Sequence, residues 1–314
     1  MKPINRHIFG PVPSRRLGLS LGIDLVPFKT CSYDCIYCQV GKTTLKTIEC
    51  KEFFSVKEII TELKQRLVYV NPDIITFSGS GEPTLYSKLD ILIEEIRKIT
   101  NIKIALLTNG SLLWKKDVRK KVLEADIILP TLTTTFNYTF KKIHRPHPNL
   151  NINMIIEGLI KLRKEYKKNI YLELFFISNI NDSEKELLAL KNIIDKISPD
   201  KVQINTVVRP PSEKGVTALD INKLEYIKDL LAQDAEIIAE KSRTVNDFGK
   251  KADHMSQIFE MIKRRPVREI DIVKSLGIDL NEVKSIIKGL LIKGMISKYE
   301  HLGEIYYKGR VGYE

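Results

Sequence analysis

This 314-residue sequence is poor in cysteine, with four, and holds a single tryptophan. It has no apolar run near the ~20 residues that a membrane-spanning helix needs. Its start, "MKPINRHIFGPVPSRR", lacks the apolar core of a signal peptide. Both absences argue against a membrane role and for the cytoplasm, where thiols stay reduced and clustered cysteines serve metals or catalysis rather than disulfides. A basic arm is missing too. The net charge is +12, yet residues 251–314 hold 12 Lys and Arg against 9 Asp and Glu. The excess is spread along the chain, so a solvated lysine-rich surface explains it as well as a polyanionic partner does. With 43% hydrophobic and 29% charged residues, the composition is that of a globular protein of one large domain or two.

Three of the four cysteines fall in "TCSYDCIYCQVG", residues 30–41. Cys31, Cys35 and Cys38 are spaced C-x3-C-x2-C. A closed zinc site needs a second pair of ligands, but Cys50 stands alone, and neither His7 nor His144 lies at knuckle spacing. Three close thiolates suit an iron–sulfur cluster with one iron left open to a small molecule. A structural metal loop is the plainer alternative. A second motif follows the apolar run "DIITF", residues 73–77: "SGSGEPTLY", residues 78–86. Glycine lets a ligand approach the backbone closely, and a glutamate there can accept a bond from an ammonium group. Alone, Gly-Glu-Pro is also simply a tight turn.

The cysteine loop resembles the signature of the radical S-adenosylmethionine (SAM) superfamily, including the aromatic Tyr37 directly before the last cysteine. The resemblance implies that Cys31, Cys35 and Cys38 hold a [4Fe–4S] cluster whose fourth iron chelates the amino and carboxylate groups of SAM. One electron, from reduced ferredoxin or flavodoxin, would then cleave the sulfonium to methionine and a 5′-deoxyadenosyl radical that abstracts hydrogen. Tyr37 is expected near the adenine. Gly81, Glu82 and Pro83 match the segment that holds the SAM amino group, although Ser80 stands where the superfamily pattern has glycine.

The first 245 residues alternate strand-like and helix-like segments, which predicts an α/β fold with a parallel sheet. Strand patterns fall at 17–26, 73–77, 102–107, 126–132, 170–182 and 201–211. Six β/α units match the partial (β/α)6 barrel that the resemblance implies, with its chemistry at the C-terminal strand ends. Those ends offer Asn109, Asn179 and Gln203 as cofactor ligands, each equally explained as a turn or strand residue. They also offer Asn205 and Arg209, the latter on a stiff loop before two prolines, for the adenosine or an anionic substrate. The connection 133–151 is long and basic, and presents His144, Arg145 and His147 as anion ligands or acid–base groups. A basic surface loop is the bland reading.

Residues 254–310 read as three helices and a hairpin signalled by "HLG", a winged helix. Its third helix would offer Asn281, Lys284, Ser285 and Lys288 to a major groove, with Lys298, Lys308 and Arg310 on the wing. Such domains also dock proteins. Taken in order, "FGPVPSRRLGLSLGIDLVP", the cysteine loop, "GSGEPTLY", "TNG", "HRPHP" and "QINTVVRPP" resemble a prokaryotic radical SAM family related to 4-demethylwyosine synthase, which modifies a guanosine in tRNA. The synthase's extra cysteines are absent apart from Cys50, so no auxiliary cluster is expected. Thr133 stands where the wider family often has an aspartate. The expected substrate is a macromolecule such as tRNA; a peptide or protein docked by the tail is the alternative. A DNA-binding iron–sulfur sensor is a third, which leaves Gly81-Glu82-Pro83 unexplained.

Overall fold

The computed structural model describes residues 7–231, 234–239 and 254–309. The segment 246–253, between the two regions distinguished in the sequence, and Arg310 lie outside the described residues. No helix among the described residues is long and apolar enough to cross a membrane.

The chain opens with an antiparallel pair, β1 (Ile8–Ser14) and β2 (Gly18–Ile23). Two short strands, β3 (Thr30–Cys31) and β4 (Leu45–Lys46), pair in parallel across the cysteine loop. Then helices and strands alternate: α1 (Val56–Leu67), β5 (Ile74–Phe77), α2 (Leu89–Arg97), β6 (Lys103–Thr108), α3 (Lys116–Val122) and β7 (Ile127–Leu132). They continue with α4 (Asn137–His144), α5 (Ile152–Glu165), β8 (Asn169–Phe176), α6 (Glu184–Ile197), β9 (Lys201–Thr206), α7 (Ile221–Leu231) and β10 (Glu236–Ile237). The tail adds α8 (His254–Arg264), α9 (Glu269–Leu276), α10 (Leu280–Ile292), β11 (Ile296–His301) and β12 (Glu304–Gly309).

Eight strands form one sheet in the order β1-β2-β5-β6-β7-β8-β9-β10, parallel except at β1. All six sequence-predicted strands are in it. The "IITF" of β5 is buried throughout, as a parallel strand covered on both faces must be. Helix starts follow local chemistry: Asn151 accepts from Met154 N at 3.1 Å to begin α5, and Ser183 accepts from Glu186 N at 3.4 Å to begin α6.

The sheet curls. Strands lie about 4.8 Å apart, so on a flat sheet β2 and β9, five steps apart, would be separated by roughly 24 Å. Instead, the turn that leads into β2 reaches across. Arg15 Nη1 donates to Asn205 Oδ1 on β9 at 3.4 Å, and Arg16 Nη1 lies 3.1 Å from Glu173 Oε1 on β8. The parallel strands therefore enclose a lumen, and the gap between β1 and the far edge is covered by the tail. There α8 and α9 pack on β1, with Val12 against a core of Ile258, Met261, Ile262, Ile272, Val283 and Ile287. The hairpin of β11 and β12 turns at Leu302 (φ 52°) and Gly303 (φ 75°), the left-handed pair its two-residue turn requires.

The connection expected as a loop over 133–151 contains α4. Arg145 ends that helix in the left-handed conformation, φ 41°.

Candidate active site

The lumen holds a cavity of about 390 Å³. Cys31, Cys35 and Cys38 all line it, together with Tyr37, Gly81, Glu82, Asn109 and Arg209 from the sequence-predicted set. All four cysteines are free thiols. Among the described residues, no three His, Cys, Asp or Glu side chains converge tightly enough to hold a single ion. The three thiols instead share the wall of a much larger space.

Each of those sulfurs has a nitrogen-bearing side chain beside it, and Cys35 also meets the Tyr37 hydroxyl. Lys29 Nζ lies 3.1 Å from Cys38 Sγ, Asn109 Nδ2 3.5 Å from Cys31 Sγ, and His144 Nδ1 3.1 Å from Cys35 Sγ. On its other side, His144 Nε2 is 2.8 Å from the Thr133 hydroxyl. Burial pushes the Cys31 thiol up to about 12, with the nearby Glu82 adding to the shift, so metal ligation there must displace a proton. Donors aimed at sulfur stabilise that negative charge, and thiolate is the ligand an iron–sulfur cluster takes.

Glu82 closes the opposite side of the thiol loop. Its Oε1 accepts from Thr84 N at 3.0 Å, Thr84 Oγ1 at 2.6 Å and Thr108 Oγ1 at 2.6 Å, while Oε2 accepts from Asn109 N at 2.8 Å. Burial still raises its pKa against those four bonds. A cation delivered to this carboxylate would relieve that cost. Next to it, a Cβ on Gly81 would stand 1.9 Å from Thr30 O, so only glycine lets the Glu82 turn pack on the strand carrying Cys31. The departure at Ser80 has a local cause: its N–H donates to Asp24 Oδ1 at 3.1 Å and its hydroxyl also bonds Asp24. Tyr37 stacks on Phe175, ring centroids 4.1 Å apart and planes 19° apart.

Other candidates lie elsewhere. His144 does not line the cavity. It is buried, and burial drives its pKa down to about 3, so it is a neutral ring bonded toward Cys35 and not an acid–base group open to a substrate. Arg145 points to Glu213, Nη1 to Oε1 2.8 Å, on the outer surface. Asn179 is an exposed turn residue with φ 60°, and Asn181 is the asparagine buried there, spanning Ile177 N, Thr133 O and Phe175 O. Gln203 is buried and off the cavity lining, with its Oε1 unpartnered. Pro83 sits behind Glu82, heading the 3-10 turn Pro83–Leu85. On the wing, Lys308 Nζ would be 3.7 Å from a Cβ on Gly41, which sets it against the end of the cysteine loop.

Sequence reasoning missed Lys29, Arg15, Arg16, Glu173 and the tail's Arg264 and Arg265. Lys29 touches Cys38, and the other five line the cavity. The paired arginines of "SRR" and "KRRP" were the available signal.

A thiol-lined cavity with an acidic Gly-Glu turn, inside a curled and mostly parallel sheet, is the architecture of radical SAM enzymes. The superfamily model for radical SAM proteins matches residues 25–190. A UPF0026 protein of Methanocaldococcus jannaschii is 36% identical over 308 residues, covering 95% of this chain and 94% of that protein. The chain belongs to the radical SAM superfamily and, within it, to the UPF0026 family. It is a radical SAM enzyme, and that superfamily uses a [4Fe–4S] cluster and SAM. A protein of Brachyspira hyodysenteriae named GTPase Obg is 40% identical over 292 residues, 92% of this chain; the chain spans only 42% of that protein's length. Among solved structures, TYW1 with a lysine–pyruvate adduct bound has the same fold, with a TM-score of 0.54 and 18% identity over 72% of this chain and 76% of that one.

Proposed function

We propose that this chain cleaves SAM reductively and uses the radical to modify a macromolecule, an RNA such as tRNA. The observation that carries the reading is the single cavity lined by Cys31, Cys35, Cys38, Glu82 and Asn109. The cysteines ligate the cluster, which supplies the electron that splits the sulfonium of SAM. Glu82 receives the ammonium group on Oε2, the oxygen that carries one hydrogen bond rather than three. Asn109 and Lys29 orient Cys31 and Cys38, and His144 orients Cys35. Tyr37, held flat by Phe175, offers a face to the adenine.

Reduced ferredoxin or flavodoxin is the electron donor. The tail acts as a winged helix that grips the substrate, with Asn281, Lys284, Ser285 and Lys288 exposed along α10. The kinship with 4-demethylwyosine synthase supports tRNA. GTP hydrolysis is not carried over from the Brachyspira relative, because Gly41-Lys42-Thr43 has Ile36 where a phosphate loop needs its first glycine.

Anaerobically reconstituted protein is expected to hold close to four irons per chain and to release 5′-deoxyadenosine with dithionite. Fully loaded protein that forms none, even with cell extract added, would defeat the radical reading. Mass spectrometry of tRNA nucleosides from a deletion strain tests the substrate. An unchanged nucleoside profile moves the assignment to a peptide docked by the tail.

A further inference from the structure

Five arginines line one region of the cavity: Arg15 and Arg16 before β2, Arg209 after β9, and Arg264 and Arg265 at the end of α8. Two are neutralised. Arg16 faces Glu173 at 3.1 Å, and Arg264 faces Glu260 at 2.5 Å and Asp24 at 3.8 Å. Arg15, Arg209 and Arg265 have no carboxylate within ion-pair distance among the described residues. Asp271 attracts all three, but it is held 3.0 Å from Arg268.

Repulsion from Arg209, with burial second, presses Arg265 down to about 9; burial, then Arg209 and Arg16, does the same to Arg15. Such crowding opposes folding unless an anion relieves it. The side chains are nonetheless posed. Arg15 Nη1 donates to Asn205 Oδ1 and to Ile238 O, and Arg209 Nη1 to Gln39 Oε1 at 3.2 Å. A guanidinium has five N–H donors, so most of each fork remains for a ligand.

The geometry points to a substrate phosphate site built jointly by barrel and tail, in which Arg15, Arg209 and Arg265 hold one phosphate group. Three unneutralised guanidiniums match a dianion with several acceptor oxygens better than a single carboxylate. The carboxylate of SAM shares a carbon with the ammonium assigned to Glu82, so it belongs beside β5. The arginines come from the other walls, β1, β9 and the tail. The inference rests on the radical SAM reading only in calling this phosphate the substrate's.

The test uses full-length, cluster-loaded protein and inorganic phosphate, titrated against chloride at constant ionic strength without reductant. Calorimetry is expected to show saturable binding. Arg209→Gln and Arg265→Gln should each weaken it about tenfold to a hundredfold, with phosphate-free melting no lower than wild type because repulsion is removed. Should Arg265→Gln not fold, Arg265→Lys keeps the charge, loses the fork, and is expected to bind severalfold more weakly. Displacement by a nucleoside 5′-monophosphate identifies a small nucleotide as the source, and displacement by a short RNA lacking terminal phosphates identifies a phosphodiester. No saturable binding, or wild-type binding in the variants, overturns the site. So does stronger displacement by succinate, or loss of SAM binding in place of phosphate binding. Phosphate binding without SAM cleavage would sink the radical reading alone; cleavage without phosphate binding would sink this inference alone.

Discussion

Replacing Glu82 by Gln tests the carboxylate at the centre of the site. Both of its oxygens face a backbone N–H that cannot turn away: Thr84 N on Oε1 at 3.0 Å and Asn109 N on Oε2 at 2.8 Å. The hydroxyls of Thr84 and Thr108 can rotate and accept instead. An amide, however oriented, must point its NH2 at one of the two fixed donors. One buried N–H then loses its acceptor, a cost of about 2 kcal/mol, or about 3 °C in melting temperature for a chain this long. SAM affinity should fall as well, about tenfold to a hundredfold for a lost charge-assisted bond. Calorimetric melting of the apoprotein and equilibrium SAM binding to the iron-loaded protein separate the two effects. A melting temperature within ~1 °C of wild type would refute the hydrogen-bonding argument. A lowered melting temperature with unchanged SAM affinity would leave Glu82 a structural residue.

Gly81→Ala would place a Cβ 1.9 Å from Thr30 O, which already accepts from Glu82 N at 3.1 Å. The strand before Cys31 must move, so a loss of about 1–3 kcal/mol in stability should come with reduced iron content; full loading would refute the packing argument. Cys31→Ala, Cys35→Ala and Cys38→Ala should each abolish the cluster chromophore. Cys50→Ala should retain it, because Cys50 donates to Thr84 O at 3.5 Å and lies off the cavity wall; iron loss there would overturn the ligand assignment. If the substrate is RNA, binding should fall steeply with salt, and replacing Lys284 and Lys288 by Ala should flatten the log–log slope by up to about 2. A salt-insensitive interaction would favour a peptide.

The parallel strands were readable because a strand covered on both faces is a continuous apolar run, and "DIITF" or "DIILPTL" can hardly be anything else. Two other elements gave no signal. β1 contains Pro11 and Pro13, which would demote any strand; it tolerates them as the edge of the sheet, pairing on one side only. α4 starts after Phe136 with no side-chain cap, and its sequence "NYTFKKIH" passes for a basic loop. It nevertheless brings His144 to Cys35, 109 positions away in the chain.

The site divides along the same line. Ligand spacing survives in a sequence because the group it binds dictates it, so the cysteine loop and Gly81-Glu82 stand out without knowledge of the fold. The arginines carry no such spacing. Arg15 meets Asn205 across 190 residues only because the sheet curls, and Arg265 enters the same cavity only because α8 crosses the gap beside β1. Basic residues ending an amphipathic helix already have an ordinary explanation in the helix dipole, and in "SQIFEMIKRRP" that explanation is sufficient until the tail is seen against the barrel. Once it is, the tail ceases to be a detachable grip. It supplies part of the wall of the cavity that the three cysteines also line, so a change at Arg265 should be read out in that cavity as well as on the outer surface.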